Sequence, residues 1–370
     1  MVIGGGIAGL SLAGALSESA AVTVLEAEEQ VGFHSSGRSA TMLHYALGNP
    51  LVRALTLASR ELFENPPDGF SDIPLGHQTS ILVHAREEEL AELDALEAAI
   101  APFASLDRIG EEEIRRLCPL LRTGSDGAVA ALVDPEAVKI DSDALLQGHV
   151  RTLRNNGGTV RNGARVAAIE RRGGLWEVRT EKGDNFAAPL LVNAAGSWAD
   201  QVAALAGLAP LGLHPKRRTI VTFDAPAGTD ISRLPFTKTV GDELYFGAES
   251  GRIFASPMDE VPSEPCDAQP DDYEVALAAW RIEERTYAKV ERIHSKWAGL
   301  RTFTPDGKPA VGFAPASEGF FWLAGQGGFG LQTSPAIAAI AASLILERAW
   351  PVDGASIEEL SPDRFLGHPA

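Results

Sequence analysis

The chain has 370 residues, 45% of them hydrophobic, and a formal net charge of −18 at pH 7. That length and apolar content suit about two domains with a sizeable core, and the charge argues against nucleic acid or an anionic membrane as a partner. No apolar run reaches the ~18 residues of a membrane span. Cys118 and Cys266 lack metal-type spacing and read as free thiols in a reducing cytoplasm. No metal site is expected, and any anionic substrate must be drawn in by a local basic site.

The first two dozen residues carry the strongest pattern. A short β-type run meets Gly4, Gly6 and Gly9 in G-x-G-x-x-G spacing, small residues follow at helical spacing, and a second β-rich run ends on Glu26. These are the parts of a dinucleotide-binding βαβ unit. Gly4 serves the tight turn, Gly6 with Ile7 and Ala8 brings backbone close to a pyrophosphate, and Gly9 with Ala13 lets the helix pack closely on the strands. The helix start faces the phosphates, and Glu26, followed by Ala27, accepts from ribose hydroxyls. A signal-peptide reading of 1–16 fails for want of a basic n-region and because the segment runs directly into the next strand.

Residues 32–40 form a polar, glycine-punctuated loop beside the expected nucleotide. Ser35, Ser36, Arg38 and Ser39, with Ala40, are expected to bind the cofactor. Residues 52–63 have helical periodicity and stop at Pro66 and Pro67. A β-like stretch at 79–83 opens a different region. It continues with two amphipathic helices carrying solvated charges, around 86–90 and 111–116, and a strand or hairpin at 127–138. Asp141 then caps a helix that ends near 155–158. Strands follow at 159–160, 164–169 and 176–180, and residues 190–196 read as a buried parallel strand with a glycine turn. Val166, Ala195 and Gly196 are assigned to the cofactor.

Residues 208–296 are β-rich, with strands at 219–223, 243–246 and 252–255 and a helix around 275–290. A strand at 319–324, a glycine loop at 325–330 and an apolar helix from 331 close the pattern. The expected fold class is α/β: a discontinuous Rossmann-like dinucleotide-binding domain (1–72, 140–207 and 297–370) plus a β-rich α+β substrate-binding cap (73–139 and 208–296).

The second glycine loop selects flavin over nicotinamide. Amides of Gly330, Leu331, Gln332 and Thr333 at a helix start, with Gly327 before them, suit the edge of a ring that gains negative charge on reduction.

The segments 4–26, 32–40, 193–198, 297–306 and 325–333 together resemble the FAD-dependent D-amino-acid oxidase, glycine oxidase and sarcosine oxidase superfamily over nearly the whole chain. Within it, 52–56, 64–70, 210–218 and 318–322 resemble the bacterial D-arginine dehydrogenases. The resemblance implies a substrate carboxylate held by Arg218, Tyr245 and Arg301, backbone near Gly328 facing the amine, and hydride transfer to flavin N5 with later hydrolysis of the imine. An arginine fork suits a carboxylate. Arg217 and Arg218 must lie on opposite faces of their strand.

Departures from that pattern bear on the substrate. Met42 and Leu47 stand where an ungapped match puts a substrate-contacting histidine and tyrosine, although a shifted alignment would substitute His44 and Tyr45. No acid stands near Thr79 or Ser80 to hold a guanidinium, so arginine is not the expected substrate. Sarcosine oxidases carry a flavin-linking cysteine just before a segment like 301–304; neither Cys118 nor Cys266 is near it, so the FAD is expected to be non-covalent. The expected activity is oxidation of the C–N bond of an amino acid with an apolar substituent. That substrate is an N-substituted glycine, an N-carboxymethyl amino acid if Arg218 and Arg301 hold separate carboxylates, or an apolar D-amino acid. The alternatives are a D-amino acid dehydrogenase using an acceptor other than oxygen, and a non-catalytic electron-carrying flavoprotein subunit.

Overall fold

The computed structural model describes residues 1–315 and 317–365. Residues 366–370, the end of the expected FAD-binding segment, lie outside the described residues.

The expected βαβ unit is present: strand Val2–Ile3, helix Ile7–Leu16 and strand Thr23–Leu25. Its strands sit inside a six-stranded sheet that also holds Thr159–Arg161, Leu191–Asn193, Phe320–Ala324 and Ala310–Phe313. All neighbours are parallel except Ala310–Phe313, which pairs antiparallel with Phe320–Ala324. Period-two alternation assigns the faces. Val2, Val24, Val192, Phe321 and Leu323 pack with the helices Ile7–Leu16, Ser142–Asn155 and Gly330–Ile345. Their neighbours Ile3, Leu25, Leu191, Phe320 and Trp322 pack on the opposite side with Trp176 and Val178 of a three-stranded antiparallel sheet. Asp141 caps Ser142–Asn155 as expected, accepting from the Ala144 amide at 2.9 Å.

The cap is a nine-stranded sheet. Strand His214–Phe223 pairs with Ile293–Phe303 along its length, with Lys216 opposite Arg301 and Arg218 opposite Gly299. The cap sheet therefore extends past 296, where the sequence pattern places the return to the nucleotide domain. One cap face packs Leu82, Val221, Phe223, Phe246 and Ile253. The other packs Met42, Ile220, Phe236, Tyr245, Phe254 and Met258 and looks toward the nucleotide-binding sheet. The stretch 127–138 does not form a hairpin. Ala130–Asp134 pairs within the cap sheet, whereas Val138–Ile140 joins a small sheet with Met42–Leu43 and Gly76–Gln78.

Candidate functional site: a dinucleotide-type cavity closed by a cationic cap

One cavity of about 560 Å³ runs from the glycine turn of the first βαβ unit to the inner face of the cap. All the residues assigned from sequence to cofactor or substrate line it except Gly9 and Thr333. Gly9 acts by close approach: a Cβ there would stand 2.0 Å from the Gly4 carbonyl oxygen, so the residue packs the helix onto the strand. The Thr333 amide is taken by the Phe329 carbonyl at 3.1 Å, the first bond of the helix Gly330–Ile345. The amides before it, on Gly330, Leu331 and Gln332, are the ones a helix start leaves without helical acceptors.

At the nucleotide end, Gly4 has φ +110°, and a Cβ would meet the Ala194 carbonyl oxygen at 2.3 Å. The buried Glu26 carboxylate accepts from the Gly5 amide at 2.7 Å and the Glu28 amide at 2.8 Å. Burial raises its pKa against the pull of those amides. Ser36 Oγ accepts from the Ile7 amide at 3.0 Å and so holds the helix start. Ser35 and Arg38 line the cavity, but their polar groups are committed elsewhere. Ser35 Oγ donates to the Leu300 carbonyl at 2.6 Å. The Arg38 guanidinium donates to the carbonyls of Phe33, Ala268 and Ala298 and pairs with Asp267 at 2.6 Å. Both side chains tie the loop 32–40 to the cap.

At the cap end, Arg218, Lys238, Tyr245 and Arg301 line the same cavity. The alternation along His214–Phe223 resolves as the strand geometry requires: Arg218 faces the cavity, and Arg217 pairs with the buried Glu274 at 3.0 Å near the helix Asp272–Arg285. Arg301 lies directly over Gly328, where a Cβ would be 2.0 Å from its Nε. Its guanidinium is also 5.3 Å from the ring centres of both Phe303 and Phe329. Burial, then Arg218, pulls the Arg301 pKa down to about 10, with Glu260 opposing. Glu260 Oε1 accepts from Arg301 at 3.0 Å and Arg218 at 3.3 Å, and its Oε2 pairs with Lys216 at 2.8 Å. Arg218 also donates to the Asp259 carbonyl at 2.8 Å.

Met42, Leu47 and His44 all line the cavity, so the ungapped and shifted readings each contribute a wall residue. Thr79 and Ser80 do not. Glu26, Glu28 and Glu181 are the acids among the lining residues, and the first two flank the strand that closes the nucleotide unit. Sequence reading missed Lys238, Glu260 and Met258. The available signal for Lys238 was a lone lysine in the otherwise uncharged segment 236–239, which puts it on the face of Phe236 and opposite Tyr245 across a hairpin.

Neither cysteine lines the cavity: Cys118 is buried in the cap core and Cys266 is exposed. Among the described residues, no group of three or more His, Cys, Asp or Glu could hold a metal ion. No helix there is long and apolar enough to cross a membrane.

Backbone cradles closed to any Cβ, an amide-held acid after the second strand, and a second helix start at the middle of the cavity fit a flavin dinucleotide. The class this defines is a flavin-dependent oxidoreductase. The family model described as "DAO: FAD dependent oxidoreductase" matches residues 1–344, and the chain belongs to that family. It is 29% identical over 281 residues to the D-amino acid dehydrogenase of Cereibacter sphaeroides, covering 74% of this chain and 62% of that one. Solved structures that share the fold include two oxidases. Glycine oxidase from Geobacillus kaustophilus has TM-score 0.85 and 22% identity, covering 100% of this chain and 98% of that one. Iminodiacetate oxidase from Chelativorans sp. BNC1 has TM-score 0.77 and 21% identity, covering 98% of each chain.

Proposed function

We propose that the protein oxidises the C–N bond of an amino acid bearing an apolar substituent, with FAD held mainly by residues 1–72, 140–207 and the chain that follows the cap strand Ile293–Phe303, and the substrate held by the cap together with Met42, Leu47 and Gly328. The observation that carries this reading is Arg301 laid over Gly328 at the start of the long C-terminal helix, with Arg218 and Tyr245 on the same cavity wall. FAD, when bound, supplies the two-electron oxidant. The chain's own residues bind and orient: Arg301 offers its guanidinium to a carboxylate, and Glu260 and Gly328 fix where that guanidinium lies. Met42, Leu47, Ile220 and Phe236 give the substituent an apolar wall and exclude water around the reacting bond. The amine must be neutral to release electrons, and the product imine hydrolyses in solution.

Two substrate types fit. An N-substituted glycine, including an N-carboxymethyl amino acid, yields glyoxylate or a 2-oxo acid, and the shared fold with glycine and iminodiacetate oxidases supports it. An apolar D-amino acid yields a 2-oxo acid and ammonia, and the relationship to a D-amino acid dehydrogenase supports that. Turnover of both sets with a dye acceptor, assaying oxo acid and released amine, tests the reading without assuming oxygen as acceptor. The expected result is stoichiometric oxo acid and amine from one set. Absence of oxo acid from every compound would overturn it.

A further inference from the structure

Lys238 stands apart from the rest of the cap wall. Its side chain is 2% exposed in the strand Phe236–Thr239, yet it lines the cavity, and its ion-pair partner Asp242 is 57% exposed in the turn beyond the strand. Burial lowers the Lys238 pKa, Asp242 opposes, and Arg218 and Arg53 add to the lowering. His44 sits beside it. Burial, then Lys238 and Arg53, holds the His44 pKa at about 3. Its Nδ1 accepts from the Ala46 amide at 3.2 Å, which leaves the proton on Nε2 as a neutral donor.

The charges around this end do not balance. Arg53, Lys216, Arg218, Lys238 and Arg301 are the cations; Asp242 and Glu260 are the acids whose carboxylates pair with them, and Asp259 meets Arg218 through its backbone carbonyl. Asp259 spends its carboxylate on the amide and hydroxyl of Thr219. A chain of net charge −18 thus concentrates a cationic excess at one buried place. One monocarboxylate at Arg301 leaves Lys238 at the cavity wall with only the exposed Asp242 carboxylate, outside the cavity lining, to balance it. An apolar residue would fill this strand position without the cost of desolvating an ammonium.

We propose that Lys238, with the Nε2–H of His44 beside it, binds a second anionic group of the substrate. The substrate is then a secondary amino dicarboxylate, with one carboxylate at Arg301, the other at Lys238 and its apolar part against Met42 and Leu47. This rests on the C–N oxidation reading above and narrows it from amino acids in general to dianionic ones. The same excess disfavours a substrate with a cationic side chain.

The test uses the flavin-loaded protein and two unreactive probes with sulfur in place of the amine nitrogen: thiodiacetate, a dianion, and methylthioacetate, a monoanion. Binding is read from the flavin absorbance. The wild type is expected to bind thiodiacetate about 10-fold or more tightly than methylthioacetate, and Lys238→Met to erase that preference while moving methylthioacetate by no more than about 2-fold. Lys238→Gln serves where the methionine variant does not keep its flavin. Asp242→Asn, at an exposed left-handed turn position that asparagine tolerates, is expected to strengthen thiodiacetate alone. Equal affinities in the wild type, or equal losses of both probes in the Lys238 variants, would overturn the proposal. A Lys238-dependent dianion preference in a protein whose flavin no amino acid reduces would uphold the anion site and remove the oxidation reading. Reduction by N-methylglycine with no dianion preference would do the reverse.

Discussion

The two ends of the cavity are built from different material. At the nucleotide end the wall is backbone brought to contact distance, with Gly4 against Ala194, backed by Gly9 against Gly4 and by the Gly5 amide on Glu26. At the cap end it is charged side chains that hold one another, with Lys216, Arg218 and Arg301 converging on Glu260. A backbone wall accepts any ligand of the right shape and fails when atoms are added to it. A wall of charges chooses its ligand by charge and fails when atoms are removed.

That contrast sets the order of expected damage. Removing the clamp costs most: Arg301→Ala is expected to lose roughly 2 to 5 kcal/mol of transition-state stabilisation in kcat/KM, because Arg301 is the guanidinium that lies over Gly328. The variant should keep its flavin, so unchanged kinetics with full flavin would contradict the clamp. Adding atoms under the clamp comes next. Gly328→Ala puts a methyl where Arg301 Nε lies, at φ +84°, and is expected to lower kcat/KM by about 10- to 100-fold, mostly through KM, with thermal stability less affected.

Gly4→Ala probes the other end. Its positive φ and the 2.3 Å approach to the Ala194 carbonyl should cost about 1 to 3 kcal/mol of stability and lower the flavin content of the purified protein. Kinetics per bound flavin should barely change. A Gly4→Ala protein with full flavin but altered substrate preference would break the division between the ends.

The smallest effect on the division between the two ends comes from pH, which acts on the stability of the whole fold. His44 and His84 are held at about 3 and His149 at about 4, in each case chiefly by burial. These folded pKa values lie below the unfolded one near 6.5, so below that pH the unfolded chain binds more protons and stability falls as pH falls. Each group contributes up to about 1.4 kcal/mol per pH unit between its unfolded and folded pKa. The melting temperature should therefore drop from pH 7 to pH 5. Replacing His84, which has no hydrogen-bond partner at either ring nitrogen among the described residues, with leucine should flatten that drop.

The same division governs how much was legible in the sequence. The nucleotide end follows from short-range pattern: glycine spacing, strand periodicity and an acid all lie within residues 1–26. The role of Gly9 in packing the helix was readable in the same way. The loop 32–40 was placed correctly beside the cavity, but Ser35 and Arg38 turn to partners on the cap. The Ser35 partner, Leu300, is 265 residues away, beyond any local pattern. Arg218, Tyr245 and Arg301 came from resemblance, and the strand pairings put them on one wall. Lys238 escaped because a single lysine in a strand reads as an exposed edge position until its neighbours bury it. Glu260 escaped because its partners arrive from two strands that meet only in the folded sheet.

Anaerobic mixing of the flavin-loaded protein with N-substituted glycines, amino dicarboxylates and apolar D-amino acids, followed by flavin absorbance, tests the central claim most directly. Bleaching by a carboxylate-bearing amine, and none by D-arginine, is the predicted result. An oxidised flavin after exposure to every one of these compounds would contradict C–N oxidation at this site.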